Sequence, residues 1–343
     1  MKKIYYFTIG ITLSIVILAG CSRPNRIIDN TQDEWKILMA TDAAPSALTL
    51  LHQPDNAVTS SDIFMNVNGS PLPGKVTKII EFREYLYLLI PSAYQIIVID
   101  KNYKIHTVVD LSASQRIPTD IAFGNATTGY IAHENDTTVS VIDITNFKIA
   151  RSITVGSHPI AIAGIGNQIF VANQASNTVS QIDTRTNTVV ATHAVTVAPT
   201  YIQPNSKNGH EVIVLSLGAG KLDGEPKTAP VVTFIDSARV VTAITPLDNE
   251  LFGGADAKPT GIALTSLDWV FIPVQKGIIR LDARSKTDAT LFLDKEYSNI
   301  YYNFRRDELL LLNNTVGTIT DGNGVEKTPG FTLPFNATFI IGL

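Results

Sequence analysis

The stretch from Pro118 to Pro199 contains one pattern written twice, and that repeat limits what the chain can fold into. The downstream copy runs Pro159-Ile-Ala-Ile-Ala163, Ile169-Phe-Val-Ala-Asn173, Asn177-Thr-Val-Ser-Gln-Ile-Asp183 and Asn187-Thr-Val-Val-Ala-Thr192. The upstream copy runs Pro118-Thr-Asp-Ile-Ala122, Tyr130-Ile-Ala-His133, Thr138-Val-Ser-Val-Ile-Asp143 and Lys148-Ile-Ala-Arg-Ser-Ile153. Each copy is four short, alternating, β-branched runs separated by Gly, Asn, Asp and Ser, which is the signal for four antiparallel strands joined by tight turns. A period near forty residues with four strands per unit marks the blade of a β-propeller. The predicted fold is therefore all-β, a single propeller of four-stranded antiparallel blades.

Two landmarks carry the period along the chain. The Pro that opens a first strand falls at Pro118, Pro159, Pro199 and Pro259, in steps of 41, 40 and 60. The Asp that ends a third strand falls at Asp100, Asp143, Asp183, Asp236 and Asp282, in steps of 43, 40, 53 and 46. The long steps come from a polar insert at 218–230 and a looser segment at 246–258; insertions in a repeat go to loops, because a strand cannot absorb them without losing register. Clear blades span 75–111, 117–156, 158–197, 199–245 and 259–293, and a sixth begins near Tyr297. The N-terminal part reads as an incomplete blade, with Trp35-Lys-Ile-Leu-Met-Ala40 as second strand and Ser46-Ala-Leu-Thr-Leu-Leu51 as third. Its missing inner strand is expected from the far end, Ala337-Thr-Phe-Ile-Ile-Gly342, which closes the ring and removes exposed edges. The expected count is seven blades, with six and eight as the alternatives.

The first residues read as an address. Lys2 and Lys3 precede an apolar run from Ile4 to Ala19, too short for a membrane span of about 20 residues and ending in Leu18-Ala-Gly-Cys21. That ending resembles the lipobox of bacterial lipoproteins, which implies cleavage before Cys21 and acylation of the only cysteine in the chain. The expected organisation is a signal peptide at 1–20, a lipidated cysteine and tether at 21–33, and the propeller at 34–343. Ser22 after the cysteine implies outer-membrane delivery, by likeness to Gram-negative lipoproteins. The whole chain carries a net charge of −4, and loss of the signal leaves 25 basic against 31 acidic residues, a charge of −6. That balance argues against a nucleic-acid partner, which needs a basic stripe.

Ile169-Phe-Val-Ala-Asn173, followed by Ser176-Asn-Thr-Val-Ser-Gln-Ile-Asp-Thr184, resembles the repeat of the YVTN propellers over about residues 75 to 293. Asp62-Ile-Phe-Met-Asn-Val-Asn-Gly-Ser-Pro-Leu72, after Leu48-Thr-Leu-Leu-His52, looks like the opening of YncE-like surface lipoproteins. Some of those capture cobalamin above an outer-membrane transporter, so the resemblance implies a binding protein for a small ligand or an envelope partner. The motif departs from the family at Ala132-His133 and at Ile272-Pro273. It reports the blade and leaves the ligand open.

No catalytic constellation stands out. There is no His-Glu-x-x-His, no cysteine pair and no Gly-x-Ser-x-Gly. Gly218-Ala-Gly-Lys221 lacks the spacing and helix of a phosphate loop, and Asp321-Gly-Asn-Gly324 reads as a plain turn. The Asp series reads as turn capping. An enzyme, either a quinoprotein dehydrogenase-like or a lactonase-like subunit, is the alternative; neither a cofactor nor a metal site is assigned. The candidate ligand or partner face is the one shared by the loops between second and third strands and those between blades. It collects Tyr94, His133, Glu134, His158, Asn173, Gln174, Asn177, Lys221, Gln275, Lys276, Asn313 and Asn314. Amide-rich loops of this kind suit hydrogen bonding to a neutral or mildly anionic guest.

Overall fold

The computed structural model describes residues 35–53, 55–205, 209–219, 227–238, 240–248, 250, 253–287 and 289–343. The predicted signal, Cys21 and the tether lie outside the described residues. The described residues form seven four-stranded antiparallel sheets, all drawn from the compact unit Trp35–Leu343. Their inner strands, in ring order from blade 1 to blade 7, are Ala337–Gly342, Lys78–Phe82, Pro118–Phe123, Pro159–Ile165, Pro199–Asn205, Ala263–Leu264 and Asn299–Asn303. Blade 1 is closed as expected: Ala337–Gly342 pairs antiparallel with Trp35–Thr41, setting Ile37 opposite Gly342 and Leu38 opposite Ile341. The insert at 218–230 falls between the second strand Glu211–Ser216 and the third strand Val231–Asp236 of blade 5.

Among the described residues the core is divided and not central. The buried apolar residues fall into seven clusters, one at each interface between neighbouring blades. Strand alternation produces this. In Tyr85–Ile90 the even residues Leu86, Leu88 and Ile90 face blade 1, while Tyr87 and Leu89 face blade 3. Each blade is thus apolar on both faces, and burying one such Leu stabilises by about 1.5–3 kcal/mol.

A motif that the repeat reading did not isolate runs through all seven inner strands. Val76-Thr-Lys-Ile79, Pro118-Thr-Asp-Ile121, Pro159-Ile-Ala-Ile162, Pro199-Thr-Tyr-Ile202, Pro259-Thr-Gly-Ile262, Tyr297-Ser-Asn-Ile300 and Ala337-Thr-Phe-Ile340 occupy equivalent positions. The fourth residue is Ile every time, and six of the seven pack into the interface with the preceding blade, with Ile262 packed against that same interface. In three blades the second residue supplies a hydroxyl latch. Thr119 Oγ1 donates to the Pro159 carbonyl at 3.3 Å, Thr260 to Tyr297 at 3.1 Å and Thr338 to Val76 at 3.3 Å, each time the first residue of the next blade's motif.

At the opposite end of each hairpin the Asp series caps turns. Asp100, Asp143, Asp183 and Asp282 each accept the backbone N–H two residues on at 2.8 Å, Asp236 does so at 2.6 Å, and Asp321 repeats it at 2.9 Å. The segment after Asp62 forms a short helix, Ile63–Asn68, to which the sequence reading gave no element. Asp62 caps its first turn, Gly69 at φ 73° ends it, and Asn68 ties it to the outer strand of blade 2 through Ile105 N–H and the Tyr103 carbonyl.

Candidate functional site

The seven inner strands enclose a channel of about 1130 Å³. All seven third residues of the inner-strand motif line it: Lys78, Asp120, Ala161, Tyr201, Gly261, Asn299 and Phe339. The third residue leans toward the next blade, opposite to the Ile that follows it, so its side chain lies across the neighbouring inner strand at the channel wall. Asn299 Nδ2 accordingly donates to the Thr338 carbonyl at 3.3 Å. Asp120 ties three blades together: Oδ1 accepts its own neighbour's N–H (Ile121) at 2.8 Å, Oδ2 accepts Ile162 N–H from blade 4 at 3.1 Å, and Lys78 Nζ from blade 2 stands 2.6 Å from Oδ2. The Lys78 side chain is 38% exposed while that of Asp120 is only 4% exposed, so the pair turns its cation to the channel and hides its anion.

The mouth nearer the loops between first and second strands is more aromatic. Glu81 and Arg305 form a bidentate pair at 2.7 and 2.9 Å that links blades 2 and 7 across the closing blade. Phe304, 68% exposed, lies beside it under the Arg305 guanidinium. Burial, and then the Glu81 charge, pushes the Tyr301 hydroxyl up to about 12, so it stays a neutral donor at any physiological pH.

Several of the side chains expected to form the loop face are spent on bonds within the ring itself. Gln174 Nε2 donates to Thr200 Oγ1 at 2.9 Å, Asn177 Oδ1 accepts Ala198 N–H at 3.0 Å, and Gln275 Oε1 accepts Lys258 N–H at 2.8 Å. Lys276 Nζ donates to the Glu250 carbonyl at 2.7 Å. Asn313 ends a strand, Asn314 follows it at φ 48°, and its N–H and carbonyl bond to Ser298 Oγ and Ala337 N–H. Tyr94 caps a turn at φ 55° and packs against the interface of blades 2 and 3. Glu134 lines the channel and lies 3.6 Å from His158. Lys221 lies outside the described residues.

His133 and Asn173, read as loop residues, are instead the last residues of second strands and wholly buried. Strand alternation points both at the third strand of their own blade. His133 Nε2 lies 2.8 Å from Ser140 Oγ, and Asn173 Nδ2 donates to Ser180 Oγ at 2.9 Å. Arg116 covers the histidine, with Nη1 donating to Ser140 and Ser152 and Nε to Asp136. Burial, and then the Arg116 charge, pushes the imidazole down to about 4. Between pH 6.5 and about 4 the unfolded chain therefore binds a proton that the folded ring refuses. Stability is lost as pH falls through that window, by about 3 kcal/mol from this group, and then levels off. Burial lowers His193 as well, which adds to the slope. His133→Asn, which installs the residue found at the equivalent Asn173, is expected to flatten the fall in urea midpoint between pH 7 and pH 5. An unchanged slope would show that His133 is not the group responsible.

Among the described residues no group of three or more His, Cys, Asp or Glu side chains is placed to hold a metal ion. No family model matches the chain. No curated protein matches it either. Solved structures do. A putative 6-phosphogluconolactonase from Bacteroides uniformis aligns over 91% of this chain and 100% of its own at 12% identity, with a TM-score of 0.65. Citrobacter koseri AztD aligns over 90% and 98% at 8% identity and TM-score 0.57. Kuenenia stuttgartiensis hydrazine synthase aligns over 69% and 73% at 16% identity and TM-score 0.58. At these identities the likeness shows the propeller fold, and proteins so different in their names share it.

Proposed function

We propose that this chain is a non-catalytic binding protein of the bacterial cell envelope, a YVTN-repeat, YncE-like propeller held by a lipid at Cys21, and that its channel receives the ligand. The observation that carries the reading is the channel itself. Its volume, about 1130 Å³, is at the upper end for ligand sites, and its wall sets Ile, Tyr, Phe and Ala beside five Thr hydroxyls and the charged Lys78, Glu81, Asp120 and Glu134, a mix of apolar surface and convergent polar groups that suits a recognition cavity. The Leu18-Ala-Gly-Cys21 ending supports the anchor.

Thermal unfolding of residues 23–343 against corrinoids, haems, siderophores, glycans and divalent metals tests the reading. A ligand at a hundred times its Kd stabilises the folded ring by about 2.7 kcal/mol, which corresponds to a rise of at least about 3 °C. No rise with any class would replace the small ligand by a protein partner. Loss of membrane retention in Cys21→Ala tests the anchor, and unchanged retention would remove it.

A further inference from the structure

The inner-strand motif is nearly constant at its second and fourth residues and variable at its third, the position that lines the channel in all seven blades. Its fourth residue is Ile in all seven blades, and its second is Thr or Ser in six. Its third residue is different in every blade: Lys78, Asp120, Ala161, Tyr201, Gly261, Asn299 and Phe339. Equivalent positions under the same packing demand converge on the same residue, as the Ile ring shows. The third position is under no such common demand: Asp120 and Asn299 bond the neighbouring blade, and all seven side chains share one cavity.

We propose that these third residues form a recognition ring selective for an anionic ligand with a flat apolar body. The proposal rests on the reading of the channel as the binding site and names the chemistry of the guest. Three features of the ring specify it. Lys78 presents an ammonium to the channel while its Asp120 partner is buried under two backbone N–H donors, so Lys78 is the cation among the lining side chains, where Glu81 is tied to Arg305 and Glu134 lies near His158. An ammonium carries three donors and binds carboxylate, phosphate or sulfonate alike as a point charge. Phe339 in blade 1 neighbours Lys78 in blade 2, and Tyr201 in blade 5 lies across the ring from both. Tyr201 lines the channel between Ala161 and Gly261 and packs against the interface of blades 5 and 6. A flat body lying between Phe339 and Tyr201 places its anionic edge at Lys78.

The test uses two dyes that differ by one sulfonate group, with residues 23–343, whose ring is closed on itself. The anionic probe is 1-anilinonaphthalene-8-sulfonate, and the neutral one is N-phenyl-1-naphthylamine. Both are expected to bind saturably at one site per ring. Lys78→Gln should weaken the sulfonate about tenfold, the loss of one charge-assisted bond, and leave the neutral dye within about twofold. Lys78→Arg should restore the sulfonate, and Tyr201→Ala should weaken both dyes. Equal effects of Lys78→Gln on both dyes, or none on either, would overturn anion selection while leaving the channel as a binding site. Failure of both dyes to saturate at a single site in a ring with a normal melt would overturn the channel reading as well.

Discussion

Deleting residues 337–343 is expected to abolish the folded ring, the largest effect of any small change in this chain. The segment supplies the inner strand of blade 1 and with it two core residues facing opposite interfaces. Ile340 is buried against blade 7 and Ile341 against blade 2. Losing those two side chains costs roughly 3–6 kcal/mol, and the orphaned hydrogen-bonding edge of Trp35–Thr41 adds to it. That total is of the order of the whole stability of a domain, about 5–15 kcal/mol. The Glu81–Arg305 bond, which reaches over this strand, has nothing beneath it once the strand is gone. Circular dichroism melts and size exclusion should show a non-cooperative, associating chain. A permutant carrying 337–343 directly ahead of Trp35 should restore the melt, because Gly342 already pairs with Ile37 and the junction becomes a local hairpin. A cooperative melt at unchanged temperature in the deleted chain would show that this strand does not close the ring.

Asp120→Ala is expected to be the most damaging single substitution at the channel wall, at about 2–4 kcal/mol. The carboxylate satisfies two buried backbone N–H groups from different blades as well as Lys78, and alanine leaves all three without it. Lys78→Met should cost no more than about 1 kcal/mol, because the lysine is partly exposed and water screens the pair. The asymmetry separates a carboxylate that holds blades from a cation that is there for another reason. Urea midpoints with unchanged m-values give the comparison directly. Equal costs for the two substitutions would mean that the ion pair alone carries the effect.

The blades were legible because every hairpin pairs neighbours in sequence. Pro159 to Thr192 shows its four strands in its alternation and its turns in Asn, Asp and Gly, without reference to the rest of the chain. The Asp series was legible for the same reason: each carboxylate caps a turn two residues away. The candidate site was harder to read. Loop residues such as Gln174 and Asn177 looked free for a ligand, yet they bond to Thr200 and Ala198 of the next blade, partners that appear only when blades are set side by side. His133 and Asn173 looked like loop residues because each precedes a polar turn, but the last strand position still points into the blade.

Local sequence, then, determined the strands, the turns, the four-stranded unit and the need for a borrowed strand at the ends, since these follow from side-chain period and turn chemistry within forty residues. The ring decided the site. Lys78, Asp120, Tyr201, Asn299 and Phe339 are scattered along the chain, one to a repeat, and share no local pattern beyond the Thr or Ser before and the Ile after each of them. Closure by Ala337–Gly342 bends the line of blades into a circle, and only on a circle do equivalent positions of separate repeats face one another across a common space.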